Sequence, residues 1–172
     1  MSVVGEKLPE LELLVYTAGK IEQVHLNEYK TGTVVFIFYP MDFTFVCPTE
    51  ISGFNVLREE FEKEGAKIVL VSCDSVYSHK VWAEMREGGI FGTALPMASD
   101  KNGKFASLLG IYMEREGRSR RATFIADNGK IVYEVVHDDP IGRSAIELMR
   151  VVRAINFHKK NGDICPLDWN GS

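Results

Sequence analysis

Cys47 is the residue of this chain whose position most clearly suggests chemistry. It lies in the run of residues 40–50, PMDFTFVCPTE, between an apolar stretch typical of a buried strand, residues 34–39, and an amphipathic stretch typical of a helix, residues 51–64. The thiol is therefore expected at the start of a helix, where unpaired backbone N–H groups and aligned peptide dipoles favour a thiolate over a thiol. This placement predicts a reactive cysteine.

Two registers of this helix start are consistent with the sequence. Thr44 can serve as the N-cap with Cys47 as the third helical residue, or Cys47 can directly precede a helix that begins at Pro48. Both registers keep the sulfur at the positive end of the helix. A helix terminus stabilises an anion by only about 0.3–2 kcal/mol, whereas making a cysteine mostly ionised at neutral pH requires about 3.4 kcal/mol. We therefore expect an arginine beside the sulfur as well.

The remaining cysteines, Cys73 and Cys165, are too few and too widely spaced to build a structural disulfide framework with Cys47. Cys73 ends an apolar stretch, which favours core packing over catalysis. Neither a metal site nor a cofactor is predicted, because the histidines do not cluster with the cysteines at zinc-finger spacing. The histidines are His25, His79, His137 and His158.

Length and composition indicate one globular domain. The chain has 172 residues, of which 45% are apolar and 26% charged, and its formal net charge is -4. A chain of this size can bury about two thirds of its unfolded surface around one core. The small acidic charge gives no reason to expect nucleic acid or an anionic membrane as a partner. No signal-like or membrane-spanning apolar segment occurs, so the cytoplasm is the expected location.

Alternating strand-like and helix-like patterns predict an α/β fold. Residues 11–16 and 21–26 are expected to form a peripheral hairpin. The apolar runs at residues 34–39 and 67–72 are typical of strands covered on both faces, and the helix between them should end at Gly65. These elements predict a βαβ unit with two parallel strands.

Further helices are predicted in the middle of the chain. A helix over residues 78–86 is expected to place Val81, Trp82 and Met85 on one face. A short helix follows near residues 105–109. A second β-α pair therefore follows the first.

The last part of the chain predicts an antiparallel addition to the sheet. Asn128 and Gly129 strongly indicate a tight hairpin between strands at residues 121–126 and 130–137. A final helix over residues 144–158 carries an apolar stripe that should pack on the sheet. The predicted fold is a mixed central sheet flanked by helices with an N-terminal hairpin, and a thioredoxin-like architecture fits it best.

The sequence around Cys47 resembles the active-site pattern of the peroxiredoxins. Pro40, Thr44 and Cys47 match its PxxxTxxC signature, and the similarity extends over nearly the whole chain. It resembles the typical two-cysteine, AhpC-like branch. Other matching segments are Phe43, Phe45-Val46, Pro48-Thr49-Glu50, Val71-Ser72-Cys73-Asp74-Ser75, His79, Trp82, Arg121-Ala122-Thr123-Phe124-Ile125 and Cys165-Pro166. The thioredoxin-like fold of the family agrees with the fold predicted above.

This resemblance implies a thiol-dependent peroxidase. Cys47 would be the peroxidatic cysteine, which hydrogen peroxide or an alkyl hydroperoxide oxidises to a sulfenic acid. Arg121 would be the cation beside it, Thr44 the hydroxyl that contacts the peroxide, and Pro40 a shield of the sulfenic acid against water. From the residues alone, Arg121 is also consistent with an ordinary strand arginine and Thr44 with a plain helix cap.

The resemblance also implies roles for residues distant from Cys47 in sequence. Glu50 and Arg143 would form an ion pair that supports the reactive groups. Cys165, in a tail over residues 161–172 that follows a peroxidase domain over residues 1–160, would be the resolving cysteine. It would form a disulfide with Cys47 of the partner subunit after the first helical turn unwinds, which makes a homodimer the minimum unit. A decamer and a thioredoxin or AhpF-like flavoprotein reductase partner are implied as well.

Two other classes of function are open from the sequence. A ring-like oligomer that exposes apolar surface would act as a holdase chaperone or scaffold without needing Cys47. A cysteine hydrolase would need a general base, but no histidine has a motif that ties it to Cys47, and Glu50 is a poor substitute. Full activity of a Cys47→Ser variant would favour the holdase, and ester hydrolysis without peroxide consumption would favour the hydrolase.

Overall fold

Strands and helices alternate along the chain in the computed structural model, which describes residues 2–162 and 164–170. The strands are β1 Glu12–Thr17, β2 Lys20–His25, β3 Thr33–Phe38, β4 Ala66–Ser72, β5 Met97–Ser99, β6 Tyr112–Met113, β7 Arg118–Ser119, β8 Arg121–Asp127 and β9 Lys130–His137. The helices are α1 Cys47–Lys63, α2 Val76–Glu84, α3 Lys104–Leu108 and α4 Ala145–Asn161, and a 3-10 turn covers Leu26–Tyr29. Within the described residues, no helix has an apolar stretch long enough to cross a bilayer.

Seven of the described strands form one mixed sheet in the order β2-β1-β5-β4-β3-β8-β9. β3, β4 and β5 run parallel, while β1, β2, β8 and β9 join antiparallel on the two sides. α1, α2 and α4 cover one face, where they pack with Val35 and Ile37, and α3 packs with Phe36 and Phe38 on the other. Burial on both faces explains why residues 34–38 of β3 are all apolar.

The structure confirms the predicted C-terminal hairpin and the predicted last helix. Asn128 and Gly129 have φ angles of 48° and 76°, the left-handed conformation that a two-residue turn between twisted strands requires. Ser144 caps α4 by accepting a hydrogen bond from the backbone N–H of Glu147 at 3.2 Å, and Gly162 ends the helix with φ 70°. The predicted mixed sheet is therefore present.

The sequence analysis missed β5, and this changes the place of the N-terminal hairpin. β5 has only three residues, too few to give a recognisable alternating pattern. It pairs with β4 on one side and with β1 on the other. The hairpin of β1 and β2, predicted as a peripheral accessory, is thus one edge of the main sheet. The short ribbon of β6 and β7 was also missed, because each strand has two residues.

The apolar face predicted for this helix, with Val81, Trp82 and Met85, differs from the face that α2 buries. Trp82 is fully buried, but Val81 is 54% exposed and Met85 is 36% exposed. The helix begins earlier than predicted, and its buried face carries Val76, His79 and Trp82. These residues are three positions apart, which is the spacing of one helical face.

The sheet topology brings the predicted site residues to one edge. β3 ends at Phe38, just before the loop that leads to Cys47. β8 runs antiparallel to β3 with Ala122 opposite Phe38, so Arg121 lies level with the start of that loop. The first residue of β8, Arg121, thus lies near the last residue of β3, Phe38.

Candidate active site

Cys47 is the first residue of α1, in a register that differs from both sequence-based alternatives. Val46 occupies the N-cap position and Pro48 the second helical position. The Thr44 hydroxyl instead donates to the carbonyl of Met41 at 3.1 Å, within the preceding loop. Cys47 is 1% exposed, and its sulfur lies at the positive end of the helix as both alternatives required.

The first turn of α1 has no side-chain cap. The Val46 carbonyl accepts hydrogen bonds from the N–H groups of Thr49 at 3.2 Å and Glu50 at 3.3 Å, and from the Thr49 hydroxyl at 2.7 Å. Valine lacks the side-chain oxygen that usually binds the first N–H groups of a helix, and Pro48 has no N–H to donate. The start of α1 is therefore not fixed by a capping side chain, which favours its local opening.

Arg121 places a buried positive charge beside the Cys47 sulfur. Its Nη1 lies 3.6 Å from Sγ, and its Nε donates to the carbonyl of Asp139 at 3.0 Å. Arg121 is 3% exposed, so salt and water screen its charge little. Since a guanidinium stays charged and donates hydrogen bonds to anions, Arg121 can stabilise negative charge in a reaction at this sulfur.

Glu50 holds the Arg121 guanidinium in place. Glu50 Oε2 accepts from Arg121 Nη1 at 2.5 Å and from Arg143 Nη2 at 2.8 Å. Its Oε1 accepts from Arg143 Nε at 2.9 Å and from the Arg143 backbone N–H at 2.7 Å. Arg143 Nη1 also donates to the carbonyls of Phe38 at 2.7 Å and Ala122 at 2.9 Å. The structure therefore brings Glu50, Arg121 and Arg143 together beside Cys47 and ties them to β3 and β8.

The charges around Glu50 predict a loss of stability in acid. Burial raises the pKa of Glu50, but the hydrogen bonds and charge of Arg143 and the charge of Arg121 outweigh it and hold the pKa below its ordinary value of 4.5. The pKa of Glu50 is therefore lower in the folded protein than in the unfolded chain. The ionised carboxylate stabilises the fold at pH values above the unfolded-state pKa, and this stabilisation is lost as the pH falls through the folded-state pKa.

We therefore expect the free energy of unfolding, measured by urea titration, to fall in acid below about pH 4 through this group. A Glu50→Gln variant should be less stable near neutral pH and show a shallower decline in acid, since its side chain does not titrate. Identical acid declines in the two proteins would contradict the assignment.

Pro40 and Thr44 lie in the loop between β3 and α1. The backbone N–H of Tyr39 donates to the carbonyl of Val71 at 3.0 Å, so strand pairing continues up to the residue before Pro40. Pro40 is buried and Thr44 is half-buried. The structure places both in the segment that leads to Cys47, while their roles in shielding and peroxide contact stay predictions.

Cys165 packs on α4. Its half-buried thiol donates to the carbonyl of Ala154 at 3.6 Å, and all three cysteines of the chain are free thiols. Trp169, further along, is 9% exposed and packs on Phe157 with ring centroids 5.1 Å apart. Residues 163, 171 and 172 of the predicted tail lie outside the described residues. The division of the chain into domain and tail, and the pairing of Cys165 with a second chain, stay predictions.

Residues 4–135 match the sequence model of the AhpC/TSA family. This chain belongs to that family, the peroxiredoxins. The peroxiredoxin is 37% identical over 171 residues to a thioredoxin peroxidase of Echinococcus granulosus. This alignment covers 98% of this chain and 89% of the relative. It is 43% identical over 153 residues to an alkyl hydroperoxide reductase C of Buchnera aphidicola. That alignment covers 87% of this chain and 78% of the relative.

Solved structures confirm the thioredoxin-like fold of this peroxiredoxin. A reduced 2-Cys peroxiredoxin of Plasmodium vivax matches it with a TM-score of 0.93 and 30% sequence identity. The match covers 99% of this chain and 90% of the other. The family resemblance carried by the PxxxTxxC signature and the fold predicted from the sequence are both confirmed.

Cys73 of this peroxiredoxin has no signs of a reactive thiol. It is half-buried just after β4, where burial and, to a smaller extent, the charge of Asp100 raise its pKa to about 12. At pH 8 a thiol with that pKa is only about 0.01% ionised. We expect iodoacetamide to label Cys73 about a thousandfold more slowly in the native protein than in the urea-unfolded protein, as followed by peptide mass spectrometry. Similar rates in both states would contradict this.

Sequence reasoning missed two residues that support the site. Asp139 fixes Arg121 through its backbone carbonyl, and its carboxylate accepts from Arg118 Nη2 at 2.6 Å. A carbonyl leaves no signal in a sequence. Asp42, which is buried in the loop before Cys47, was also missed, although a buried carboxylate needs partners and is therefore informative. Within residues 2–162 and 164–170, no three His, Cys, Asp or Glu side chains are grouped as metal ligands.

Proposed function

We propose that this peroxiredoxin reduces hydrogen peroxide and alkyl hydroperoxides at the sulfur of Cys47. The chain is a thiol-dependent peroxidase, in line with relatives named thioredoxin peroxidase and alkyl hydroperoxide reductase C. The observation that carries the choice of Cys47 is the 3.6 Å contact between its Sγ and Nη1 of Arg121, at the start of α1. By contrast, Cys165 donates to a backbone carbonyl and the pKa of Cys73 is raised.

In the first proposed step, the Cys47 thiolate attacks the terminal oxygen of the hydroperoxide. A sulfur–oxygen bond forms while the oxygen–oxygen bond breaks, and the electron pair of the broken bond leaves on the other oxygen. That oxygen takes up a proton to give an alcohol or water, and the sulfur becomes a sulfenic acid. Negative charge moves from sulfur to oxygen, so the Arg121 guanidinium and the Thr44 hydroxyl are proposed to stabilise it during the transfer.

In the second step, the Cys165 thiol of the partner subunit is proposed to attack the sulfenic sulfur. A disulfide forms and water leaves. Since Cys47 is 1% exposed, a thiol of another chain can reach its sulfur only after the first turn of α1 moves. The absence of a side-chain cap at Val46 supports such an opening.

We propose a homodimer as the catalytic unit. β9 is an edge strand of the described sheet, and the N-terminal segment covers its beginning through hydrogen bonds of Gly5 and Glu6 with Ile131. Further along the strand, Val136 is 49% exposed. An edge of this kind can pair with the same edge of a second copy, because antiparallel pairing of identical strands obeys two-fold symmetry. Five such dimers are proposed to form the decamer.

The disulfide is proposed to be reduced by a thioredoxin or an AhpF-like flavoprotein reductase. Either partner presents a dithiol that reduces a disulfide by thiol exchange and is itself oxidised. The cytoplasm is the proposed location, because its reducing agents keep structural disulfides rare and allow a catalytic disulfide to be recycled.

A coupled assay tests the proposed function. The chain is mixed with peroxide and either NADPH, thioredoxin and thioredoxin reductase or NADH and an AhpF-type flavoprotein. Nucleotide oxidation that needs both the chain and the peroxide is expected with at least one system. No such oxidation with either system would overturn the proposal, and suppression of client aggregation by the same inactive protein would favour the holdase.

A further inference from the structure

We propose that Asp42 is a positioning residue for the peroxide reaction. Its buried carboxylate, bound by Ser78 and His79 of α2, holds the loop before Cys47 in the conformation that reacts with peroxide. The inference rests on the proposed function of Cys47 and adds a role for α2, a helix outside that loop.

The Asp42 carboxylate is buried and satisfied by neighbouring side chains. The side chain is 1% exposed. Its Oδ1 accepts from the Tyr39 hydroxyl at 2.8 Å, and its Oδ2 accepts from the Ser78 hydroxyl at 2.8 Å and lies 2.9 Å from Nδ1 of His79. His79 is itself fully buried, with Nε2 3.3 Å from the carbonyl of Ala98. Since a buried carboxylate requires such partners in place of water, these contacts act together.

The backbone of Asp42 is anchored as well. Its N–H donates to Oδ2 of Asp74 at 2.9 Å, and the same oxygen accepts from the Ser72 hydroxyl at 2.7 Å. Ser72 is the last residue of β4, the strand beside β3. Both the main chain and the side chain of Asp42 are therefore attached to regular elements of the fold, which position a site better than a loop does by itself.

The residue after Asp42 has a strained backbone that needs this support. Phe43 has φ 57°, in a region that residues other than glycine seldom adopt. Its ring packs on Trp82 of α2, with centroids 5.7 Å apart. Strained conformations persist only where several contacts enforce them. α2 supplies contacts to both Asp42 and Phe43, and the next residue is Thr44, the proposed contact of the peroxide.

The two ends of this loop are held very differently. The Asp42 end has the hydrogen bonds described above, whereas α1 begins after Val46 without a side-chain cap. Weakening the Asp42 contacts should therefore shift the population from the conformation that reacts with peroxide toward the opened one that meets Cys165. Attack on peroxide should slow, while disulfide formation should not.

Two variants of the full-length protein test this positioning role. Asp42→Asn keeps the shape of the side chain without its charge, and Ser78→Ala removes one hydroxyl. Single-turnover stopped-flow fluorescence should show oxidation of Cys47 by hydrogen peroxide slowed about tenfold in Asp42→Asn and about threefold in Ser78→Ala. The later disulfide step should be as fast as in the wild type or faster. Tyr77→Phe, which removes a hydroxyl from a 68% exposed side chain of the same helix, should change neither rate.

Each outcome separates this inference from the proposed function. Unchanged rates in both variants, with a reactive wild type, would overturn the positioning role alone. Equal slowing of both steps with a lower urea midpoint would also overturn it, because that is the result of general destabilisation. If Asp42→Asn does not fold, the rates of the milder Ser78→Ala variant test the positioning role. A wild-type Cys47 that is inert to peroxide would overturn the proposed function, and this inference with it.

Discussion

Replacing Cys47 with serine is expected to abolish peroxide reduction. A serine hydroxyl at the first position of α1 would remain protonated at neutral pH and could not take an oxygen atom into a sulfenic acid. The loss should exceed about 10⁴-fold, the scale seen when an enzyme loses its covalent nucleophile. Peroxide consumption in the coupled assay, at matched protein concentration, measures it.

Cys73→Ser is the matched control for this substitution. It makes the same chemical change at a half-buried thiol whose pKa of about 12 keeps it protonated. The control should keep nearly all of the activity. Substantial peroxidase activity in Cys47→Ser, or a comparable loss in Cys73→Ser, would show that the reactive sulfur has been assigned to the wrong residue.

Replacing Glu50 with alanine is expected to cause the largest loss of stability among single changes at the site. The side chains of Arg121 and Arg143 are 3% and 2% exposed, and this substitution would leave both guanidiniums buried without their carboxylate. Removing one partner of such a buried group destabilises a protein by about 3–5 kcal/mol. Peroxide oxidation of Cys47 should slow too, because Arg121 would lose the partner that orients it.

Glu147→Ala provides the control, since it removes a carboxylate paired with Arg150 at the surface of α4. These side chains are 45% and 35% exposed, and an exposed pair contributes less than about 1 kcal/mol. Urea unfolding of both variants at neutral pH gives the comparison. If Glu50→Ala lost no more stability than Glu147→Ala, the buried ion cluster would have no special role.

Much of the fold was predictable from the sequence, because local patterns there agree with the final packing. Residues 34–38 of β3 are apolar since both faces of the strand are covered, and Asn128-Gly129 allows only a narrow set of turns. β5 was not predictable, because three residues do not establish a period. Its pairing with β1 and β4 depends on contacts distant in sequence.

The candidate site was predictable as a set of residues but not as a geometry. The motif around Cys47 and the segment around Arg121 identified the participants. The start of α1 was misplaced because Val46 has no capping side chain and therefore gives no signal. Glu50 binds Arg121 as well as Arg143. The contact with Arg121 depends on the register of β3 and β8, which brings Arg121 to the end of β3.

The polar contacts of Asp42 show a further limit of sequence patterns. Asp42 looks like an ordinary loop aspartate until the fold places Ser78 and His79 of α2 against its carboxylate. The apolar pattern near α2 also did not show which face is buried, since Val81 and Met85 are apolar yet partly exposed. Tertiary packing decided both points.

The most direct test of the central claim is non-reducing electrophoresis after treatment of the reduced protein with a single equivalent of hydrogen peroxide. We expect a disulfide-linked dimer in the wild type and in Cys73→Ser, and only monomer in Cys47→Ser and in Cys165→Ser. Peptide mass spectrometry should identify the bond as Cys47 to Cys165. A linked dimer that still forms in either of the last two variants, or a wild type that stays monomeric while it consumes peroxide, would contradict this account.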